Sequence, residues 1–552
     1  MCLAGLTLVC LLVFVVSTNA FFAQHSSSKH NLRAIMHGAS DEQPPIIGRS
    51  MMTKKKKKKK KKEFEGHIRA SKDNWVNALA SLRQMASEYG ASRSAYNTAI
   101  HACARSNRVT EALQTMKDMR ELNMTPSLAS YNNVMNACSR TNQWQTANKL
   151  LETMQSDGVL PDIVTMNTVI SAYGRDGQWE AALELLESMP SHGIKPDVIT
   201  INAAISACEK VGQWKEALQL LESLPNRDMK PDVVTMSAVI GACGKGGQSE
   251  KALQMLESMP SLGLKPNIIT INAAMSACSK CGQWEKALVL LESLPEIGLK
   301  PDTHLMSAAI TACGKGGQCK KALELFESMP GLGLEPNVIT MNAAISACEK
   351  GGQWKKALQL LKMMLDLGMK PDIITINTVI SACSKHGQWE IALALLELLP
   401  RVGLKPETIL LNTAISACGR AEQWEPALGL LESMPGFGLK PDVVTMSAAI
   451  SACGNASQWE RAITLFESMP DLGIKPNVIT INATIGACEK VGQWKKALQL
   501  LESMPGLGLR PNHITMRAAI RACEKGGQWE KAHRLLESTP GLGLDPMLSH
   551  VT

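Results

Sequence analysis

The sequence predicts an all-α fold, a right-handed superhelical solenoid of stacked helical hairpins, because one 35-residue unit recurs along most of the chain. In the unit Val198–Asp232, apolar or small residues at Ile201, Ala204, Ile205 and Cys208 have the spacing of one helical face. Self-similarity at this period is typical of solenoids, since a single hairpin cannot bury its own apolar face.

A second helix follows in the same unit, after a break at Lys210–Gly212. It begins at Trp214, carries Leu221 on its apolar face and is ended by Pro225. Asp232 directly precedes the next apolar run, which is where a helix N-cap belongs.

The tryptophans give the period. They recur at intervals of 35 or 70 residues, with Ser249 and Cys319 in the two skipped places: Trp144, Trp179, Trp214, Trp284, Trp354, Trp389, Trp424, Trp459, Trp494 and Trp529. Thirteen units therefore extend over residues 93–547 as one elongated domain, followed by a short tail, residues 548–552.

The formal charge of +8 comes largely from nine consecutive lysines, Lys54–Lys62. From Glu63 onward the chain has 46 basic and 48 acidic residues. A polyanionic partner would therefore be held by charges at particular places on the array and not by a general positive field.

The N-terminal residues have the composition of a targeting leader. Leu3–Val16 is apolar and Thr18–Ala20 offers small residues for cleavage, so residues 1–20 are predicted to be a signal peptide cut before Phe21. The apolar run is short for a membrane span, and an uncleaved anchor is the alternative. Residues 21–53 form a second leader segment, of which Phe21–Ser40 is basic, bears Ser and lacks acidic residues, as transit peptides do.

A signal peptide followed by Phe and a basic segment resembles the bipartite leader of algae with complex plastids. The resemblance implies a plastid protein without stable membrane association. Mitochondrial or secretory delivery are the alternatives.

Two segments separate the leader from the array. The block Lys54–Lys62 is predicted to be a solvated linker, and a non-specific RNA clamp is the alternative. Residues 63–92 contain one amphipathic helix with Trp75, Leu79 and Leu82, which is predicted to be a degenerate half-repeat that caps the array.

Twelve of the sixteen cysteines share one place on the apolar face of the first helix: Cys103, Cys138, Cys208, Cys243, Cys278, Cys313, Cys348, Cys383, Cys418, Cys453, Cys488 and Cys523. Equivalent places in stacked helices lie roughly 10 Å apart, beyond disulfide reach. These cysteines are therefore predicted to be small buried apolar residues. Cys278 and Cys281 form a lone C-x-x-C pair, and neither a metal nor another cofactor is predicted.

Two polar positions vary together between units. With Val198 as position 1 and Asp232 as position 35, position 5 is Asn or Ser in twelve units and position 35 is mostly Asp or Asn. A 35-residue hairpin with these residues resembles the pentatricopeptide repeat family, modular binders of single-stranded RNA. The resemblance covers nearly the whole chain from Arg93. It implies that each repeat contacts one base through positions 5 and 35, with an aliphatic position 2 sandwiching the base.

The resemblance also implies which base each unit prefers. Asn with Asp implies uracil, at Asn132/Asp162, Asn167/Asp197, Asn202/Asp232, Asn272/Asp302, Asn342/Asp372 and Asn412/Asp442. Ser with Asn implies adenine, at Ser237/Asn267, Ser307/Asn337 and Ser447/Asn477. Asn97/Ser127 implies cytosine and Asn482/Asn512 a pyrimidine, whereas Asn377/Glu407 and Arg517/Met547 depart from the family pattern.

Helix capping is the alternative explanation for these residues. Asp or Asn after Pro is a good N-cap, and Asn or Ser near a helix start can cap or face water. Capping alone predicts independent choices at the two positions. In contrast, all three Ser units carry Asn at position 35 and none carries Asp, which favours base discrimination.

Two further rows recur once per unit. Position 2 is aliphatic, and it either sandwiches a base or belongs to the core: Val164, Ile199, Val234, Ile269, Ile339, Ile374, Ile409, Val444, Ile479 and Ile514, with His304 as the exception. Position 13 is basic, and it either contacts phosphate or closes the helix: Arg105, Arg140, Arg175, Lys210, Lys245, Lys280, Lys315, Lys350, Lys385, Arg420, Lys490 and Lys525.

The sequence thus predicts an RNA-binding adaptor for an organelle transcript and no enzyme. The alternative is a tetratricopeptide-like scaffold for protein–protein interaction, although that repeat has about 34 residues. A deaminase would need H-x-E with a downstream C-x-x-C for zinc, and a metal-dependent nuclease would need clustered acids. Residues 541–552 contain neither, so catalysis would belong to a separate RNA-processing enzyme.

The leader composition predicts delivery to plastids. Residues 1–50 fused to a fluorescent reporter should label the plastids of an alga with complex plastids, because the signal peptide and the basic segment would act in sequence. Reporter in the secreted fraction or in mitochondria would contradict this prediction.

Overall fold

The computed structural model describes Lys60, residues 62–68 and residues 74–537. The predicted signal peptide, the second leader segment, most of the lysine block, Met547 and the tail lie outside the described residues. Every regular element in the described part of the chain is a helix, which confirms the all-α prediction.

Helical hairpins follow one another from Arg93. Their first helices are Arg93–Arg105, Leu128–Arg140, Ile163–Asp176, Val198–Val211, Val233–Lys245, Ile268–Cys281, Thr303–Lys315, Val338–Lys350, Ile373–Lys385, Thr408–Arg420, Val443–Asn455, Val478–Val491 and His513–Lys525. Their second helices are Val109–Glu121, Trp144–Ser156, Trp179–Ser188, Trp214–Ser223, Ser249–Ser258, Trp284–Glu292, Cys319–Ser328, Trp354–Asp366, Trp389–Val402, Trp424–Ser433, Trp459–Ser468, Trp494–Ser503 and Trp529–Glu537.

A short turn ends most second helices. In the unit that begins at Val233, the 3-10 turn Pro260–Leu262 follows the helix, and Gly263 reverses the chain with φ of 70°, in the left-handed region that favours glycine. Equivalent short elements are Met189–His192, Pro225–Arg227, Leu294–Ile297, Pro330–Leu332, Met434–Phe437 and Pro505–Leu507. Proline does not end every second helix, because Pro400 lies inside Trp389–Val402.

The repeats stack closely through their first helices. Gly174 lies so near to the next repeat that a Cβ atom built on it would be 3.1 Å from Cβ of Ala207. The same glycine–alanine approach recurs between Gly419 and Ala452, at 3.0 Å. Small residues at positions 10 and 12 therefore set the spacing between neighbouring first helices.

The repeated cysteines are part of this apolar interior. All twelve are buried free thiols. Burial raises the pKa of Cys208 and Cys383 to about 12 and that of Cys418 to about 11, so these thiols stay neutral at physiological pH. Cys281, in contrast, is exposed.

The tryptophans join neighbouring repeats at the start of the second helix. The Lys251 Nζ atom lies 3.8 Å from the ring centroid of Trp214, and the Lys531 Nζ atom lies 3.7 Å from that of Trp494. Such cation–π contacts reach from one second helix to the next and stabilise the stack.

The described residues form two compact units, divided between Ala308 and Ala309. The first unit begins with the helix Trp75–Tyr89, which packs on Arg93–Arg105. Residues 62–68 and Lys60 are also helical. The ring of Phe64 in this segment lies 5.9 Å from that of Tyr89, so the N-terminal part of the array has a second helical element that the sequence did not predict.

The lysine block is therefore not wholly irregular. Lys60 and Lys62, at its C-terminal end, are helical and exposed. Among the described helices, none is long and apolar enough to cross a membrane.

Candidate nucleic-acid interface

Each first helix begins with a capping side chain from position 35 of the preceding repeat. Asp232 Oδ1 accepts a hydrogen bond from the Thr235 backbone N at 2.7 Å, and Thr235 Oγ1 accepts one from the Asp232 backbone N at 3.2 Å. This is a capping box. The same reciprocal cap is found at Asp162, Asp197, Asn267, Asn337, Asp442, Asn477 and Asn512.

Three further position-35 residues cap through one bond. Ser127, Asp302 and Asp372 accept from a backbone N in the first turn, at distances of 3.2, 2.7 and 2.7 Å. Capping is therefore a real role of position 35. It occupies one side-chain oxygen, so it leaves the second carboxylate oxygen of Asp, or the Nδ2 amide of Asn, for another partner.

Position 5 meets position 35 at the start of the next first helix. In the Asn/Asp repeats the Asn Nδ2 donates to the carboxylate, although the two residues are thirty apart in sequence. The distances are 3.2 Å for Asn132–Asp162, 3.5 Å for Asn167–Asp197, 3.2 Å for Asn202–Asp232, 3.2 Å for Asn272–Asp302, 3.4 Å for Asn342–Asp372 and 3.3 Å for Asn412–Asp442. Asn482 donates in the same way to Asn512 Oδ1, at 3.4 Å.

The Ser repeats are arranged differently. Ser237 Oγ donates to the Val233 carbonyl at 2.7 Å and lies 2.7 Å from Thr270 Oγ1, and Asn267 Oδ1 caps the next helix. Among the described residues, the Asn267 Nδ2 amide has no hydrogen-bond partner. Ser447, Thr480 and Asn477 repeat this pattern, with Ser447 Oγ 2.9 Å from Thr480 Oγ1. Ser307 likewise donates to the Thr303 carbonyl, at 2.8 Å.

The repeats that depart from the sequence pattern also depart in structure. Glu407 makes no side-chain cap bond, and Asn377 Oδ1 accepts instead from Thr413 Oγ1 at 3.0 Å. Asn97, in contrast, follows the regular sites, since its Oδ1 accepts from Ser130 Oγ at 2.9 Å as Asn132 Oδ1 does from Thr165. Arg517 is exposed, and its predicted partner lies outside the described residues.

Four of these carboxylates, those of Asp162, Asp197, Asp232 and Asp442, are held in their charged form. Burial alone would raise their pKa, but hydrogen bonds from the Thr hydroxyl, the backbone and the Asn amide outweigh it. The pKa of each is consequently lowered from 3.8 at Asp162, Asp197, Asp232 and Asp442.

Position 2 is exposed and does not belong to the core. Apart from Ile514, which is 42% exposed, the exposed fraction runs from 53% at Val164 to 67% at Ile374 and Ile479. The other members, each more than half exposed except the last, are Ile199, Val234, Ile269, Ile339, Ile409, Val444 and Ile514. An aliphatic side chain left in water at the same place in successive repeats indicates a contact surface.

Part of the basic row at position 13 is engaged between repeats. Arg140 donates to the Ala104 carbonyl at 2.8 Å, and Lys490 donates to the Asn455 carbonyl at 2.9 Å. Lys245 and Lys385 form salt bridges with Glu209 at 3.2 Å and Glu349 at 2.5 Å, one repeat back. These side chains bind the C-terminal end of the preceding first helix, as the helix dipole favours.

Other members of the row remain available. Lys210, Lys350 and Lys525 are exposed, and none has a partner in the part of the chain that the structure describes. The row thus contributes both to stacking and to exposed positive charge in each compact unit. Arg105, Arg175, Lys280, Lys315 and Arg420 are the remaining members, of which Arg175, Lys280 and Arg420 also contact the preceding repeat.

The threonines at position 3 are functional candidates that the sequence analysis missed. Thr165 Oγ1 lies 2.6 Å from Asn132 Oδ1 and 2.7 Å from Asp162 Oδ1, so it touches both residues of one predicted base site. The recurrence of Thr at the third place of most first helices was the signal for them. Across the described residues, no group of three or more His, Cys, Asp and Glu side chains could hold a metal ion.

Stacked helical hairpins with a polar pair and an exposed aliphatic residue at most junctions define a modular repeat protein. The chain belongs to the PPR repeat family, whose model matches residues 92–140, 126–165, 161–209, 196–245, 231–278, 336–385, 441–489 and 476–525. The pentatricopeptide repeat domain matches residues 289–350, and the PPR repeat matches residues 269–299, 374–404 and 409–439.

A solved structure of a pentatricopeptide repeat protein shares this fold, and further solved structures are similar in part. The protein PPR10 from maize is 22% identical over 86% of this chain and 83% of its own, with a TM-score of 0.57. PPR10 in complex with an 18-nt psaJ RNA element has the same identity over 88% and 84%, with a TM-score of 0.46. Yeast Rmd9p in complex with a 16-nt target RNA is 12% identical over 82% and 95%, with a TM-score of 0.33. No curated protein matches the sequence.

The lowered pKa values predict an acid-dependent loss of stability. The test uses a triple variant, Asp162→Asn with Asp197→Asn and Asp232→Asn. Its helix caps should persist, because Asn267 makes the same cap. Its three amide side chains, however, do not titrate. The wild type is stabilised above the unfolded-state pKa of about 3.9. It loses that contribution as the pH falls through the lower folded-state values, since protonation removes the acceptor.

The measurement is thermal unfolding followed by circular dichroism between about pH 5 and about pH 2. The midpoint should fall more steeply with acid in the wild type than in the triple variant. Carboxylates elsewhere are common to both proteins and cancel in the difference. Parallel curves would contradict the prediction.

Proposed function

We propose that the array binds single-stranded RNA, with about one base per repeat, where each first helix begins. The observation that carries the proposal is the set of hydrogen-bonding atoms left at positions 5 and 35 after capping, beside the exposed aliphatic position 2. Membership of the pentatricopeptide repeat family supports it.

An Asn/Asp repeat offers a donor beside an acceptor. Asn202 Nδ2 carries two hydrogens and shares one with the carboxylate of Asp232. Asp232 Oδ2 lies outside the cap, 3.3 Å from Asn202 Nδ2, and keeps a further lone pair. Uracil presents the O4 acceptor beside the N3–H donor, which is the complementary order. The other Asn/Asp repeats have the same two atoms available, and we assign uracil to each.

A Ser/Asn repeat offers the opposite order. Ser237 gives its only hydrogen to the Val233 carbonyl, so its oxygen can only accept, and the Asn267 Nδ2 amide can only donate. Adenine presents the N6 amino donor beside the N1 acceptor. The paired switch from Asn/Asp to Ser/Asn therefore replaces a donor by an acceptor at position 5 and an acceptor by a donor at position 35.

The aliphatic residues at position 2 provide the base platform. Ile199 and Val234 belong to successive repeats and are 66% and 60% exposed. A base inserted between two such residues would remove apolar surface from water on both of its faces. With only four Tyr and seven Phe in the chain, aromatic stacking would not serve every repeat.

The proposed target follows from the order of the repeats. With the N-terminal repeat at the 5′ end, as the family implies, the RNA reads C-U-U-U-A-U-A-U-Y-U-A-Y, where Y is either pyrimidine. Binding would mask or remodel one transcript segment and so affect its stability, processing, splicing or translation. The leader supports a plastid transcript, and catalysis would be supplied by a separate RNA-processing enzyme. A protein-binding scaffold would give no role to the paired switch.

The exposed lysines of position 13 should supply affinity without base preference. Lys210→Gln with Lys350→Gln should weaken binding about equally for every RNA, because phosphate contacts carry no sequence information. The dependence of log Kd on log salt should become shallower by about 0.7 for each phosphate that is no longer neutralised.

Lys215→Gln with Lys355→Gln is the matched control. It removes the same charge from the second helices of the same two repeats, and it should change the salt dependence little. Filter-binding titrations at several salt concentrations give both quantities. Selective loss of one RNA sequence in the first variant would contradict the phosphate role.

Exchanging the polar pair should change one base of the target. Ser447→Asn with Asn477→Asp should switch the preference at base 11 from A to U, because the donor and acceptor exchange places. A mismatch leaves buried groups unpaired, which costs on the order of 1–3 kcal/mol, or roughly 5- to 150-fold in Kd.

The reciprocal variant, Asn412→Ser with Asp442→Asn, should switch base 10 from U to A and leave base 11 unchanged. Gel-shift titrations of the four RNAs against the three proteins make the comparison. If both variants kept the wild-type preference, positions 5 and 35 would be helix caps only, and the scaffold would be the better explanation.

A further inference from the structure

A buried hydroxyl lies beside the proposed base sites, at position 3 of the following repeat. Position 3 is Ser or Thr in ten of the described repeats that follow another, and each is at most 2% exposed: Ser130, Thr165, Thr200, Thr235, Thr270, Thr340, Thr375, Thr445, Thr480 and Thr515. Leu305 and Leu410 are the two exceptions. A hydroxyl so deeply buried needs hydrogen-bond partners.

Thr235 shows what this hydroxyl does. Its Oγ1 atom accepts from the Asp232 backbone N, and it lies 2.6 Å from Asn202 Oδ1 and 2.9 Å from Asp232 Oδ1. A hydroxyl has one hydrogen, so it can donate to only one of these two oxygens at a time. The shorter distance is to the amide oxygen of the position-5 side chain.

This contact fixes the orientation of the position-5 amide. Asn202 is held at both ends, since Nδ2 donates to Asp232 and Oδ1 accepts from Thr235. Turning the amide over would break both bonds and set Oδ1 against the carboxylate. The same double hold is found at Asn132, Asn342 and Asn482.

The orientation of this amide decides between the two pyrimidines. Uracil presents an acceptor at O4 and a donor at N3, whereas cytosine presents a donor at N4 and an acceptor at N3. An amide held with Nδ2 toward the base matches uracil and opposes cytosine. An amide that can turn over presents Oδ1 to the N4 amino group and accommodates both.

The Asn272/Asp302 site has Leu305 at the position where the other Asn/Asp sites have a threonine. Asn272 Nδ2 donates to Asp302 at 3.2 Å, and Asp302 still caps the next helix through the Leu305 backbone N at 2.7 Å. With Leu305 in place of Thr, Asn272 Oδ1 is buried and has no partner among the described residues. Leucine is therefore compatible with a cap of one bond and with the stack, but it supplies neither the hold on the amide oxygen nor the reciprocal cap bond that Thr235 makes.

At two other sites the threonine hydroxyl donates its hydrogen to the position-35 carboxylate and not to the position-5 amide oxygen. At Asn167 and Asn412 the threonine hydroxyl lies 2.8 Å from the carboxylate of Asp197 or Asp442, and the amide oxygen has no partner in the described part of the chain. At the other Thr-bearing Asn/Asp sites the hydroxyl lies 2.6 Å from the amide oxygen, so it can reach either partner. That choice exists at every Thr site and is absent at Leu305.

We propose that the position-3 threonine is a third specificity-determining residue of each Asn/Asp site, acting through the position-5 amide to reject cytosine, and that the Leu305 site discriminates less between U and C. The inference rests on the proposed RNA-binding function. It concerns a residue that has no direct contact with the base.

The test compares two sites in the same protein. Base 4 faces Asn202 and Thr235, and base 6 faces Asn272 and Leu305. For the twelve-base target with U or C at each place, the ratio of Kd for C to Kd for U should be about fivefold larger at base 4 than at base 6, which is the size of one net hydrogen bond.

Two substitutions then exchange the sites. Leu305→Thr should raise the C/U ratio at base 6 toward that of base 4, and Thr235→Leu should lower the ratio at base 4 toward that of base 6. Thr235→Ser keeps the hydroxyl and should preserve the ratio. Because Leu305→Thr is expected to add selectivity, a folding defect would not produce its effect.

The outcomes separate this inference from the function on which it rests. The role of the hydroxyl would be overturned if the preference for U at base 4 survived Thr235→Leu, or if that variant lost U and C binding equally. The proposed RNA-binding function would not be affected by either result. Absence of any base preference at either place in the wild type would overturn the proposed function, and the inference with it.

Discussion

The hydrogen bond that position 35 accepts from the first turn of the next helix is the interaction on which most of the repeats depend. Asp232 closes one hairpin, starts the helix Val233–Lys245, and through its carboxylate also contacts Asn202. An N-cap contributes about 1 kcal/mol. Because each repeat contacts only its neighbours, this local contribution is repeated along each compact unit.

The polar site exists only in the stack. Asn202 and Asp232 are thirty residues apart, and they meet because neighbouring first helices approach closely enough for small residues such as Gly174 and Ala207 to be nearly in contact. A larger residue at position 12 would push the helices apart. The same separation that packs the apolar interior therefore sets the 3.2 to 3.5 Å distances of the Asn/Asp pairs.

Much of the fold could be predicted from this one sequence because its repeats align with each other. The hairpins, the buried cysteines and the caps follow from local patterns of burial and capping. The role of position 2 could not be decided, since an aliphatic residue at a helix start suits a core and a surface equally, and only the 66% exposure of Ile199 separates the two. The helical residues 62–68 were missed because the lysine block before them argues against regular structure.

Which side chains of neighbouring repeats meet could not be predicted from the sequence, for a physical reason. Thr235 reaches Asn202 across 33 residues, and Arg140 reaches the Ala104 carbonyl across 36. Whether such pairs meet depends on how far one helix is shifted along its neighbour, which the period alone does not define. The basic row illustrates this, because its members divide between exposed side chains such as Lys210 and side chains such as Arg140 that bind the preceding repeat.

Capping and base reading at position 35 are two uses of the same side chain, and the first restricts the second. The residue must be short and must carry an acceptor for the backbone N–H, which limits it to Asp, Asn, Ser and Thr. Once that acceptor is occupied, Asp retains an acceptor and Asn retains a donor. Glu407, one methylene longer, makes no cap bond, and its partner Asn377 bonds to Thr413 instead. The small set of residues available to discriminate bases is thus a consequence of how an α-helix must begin.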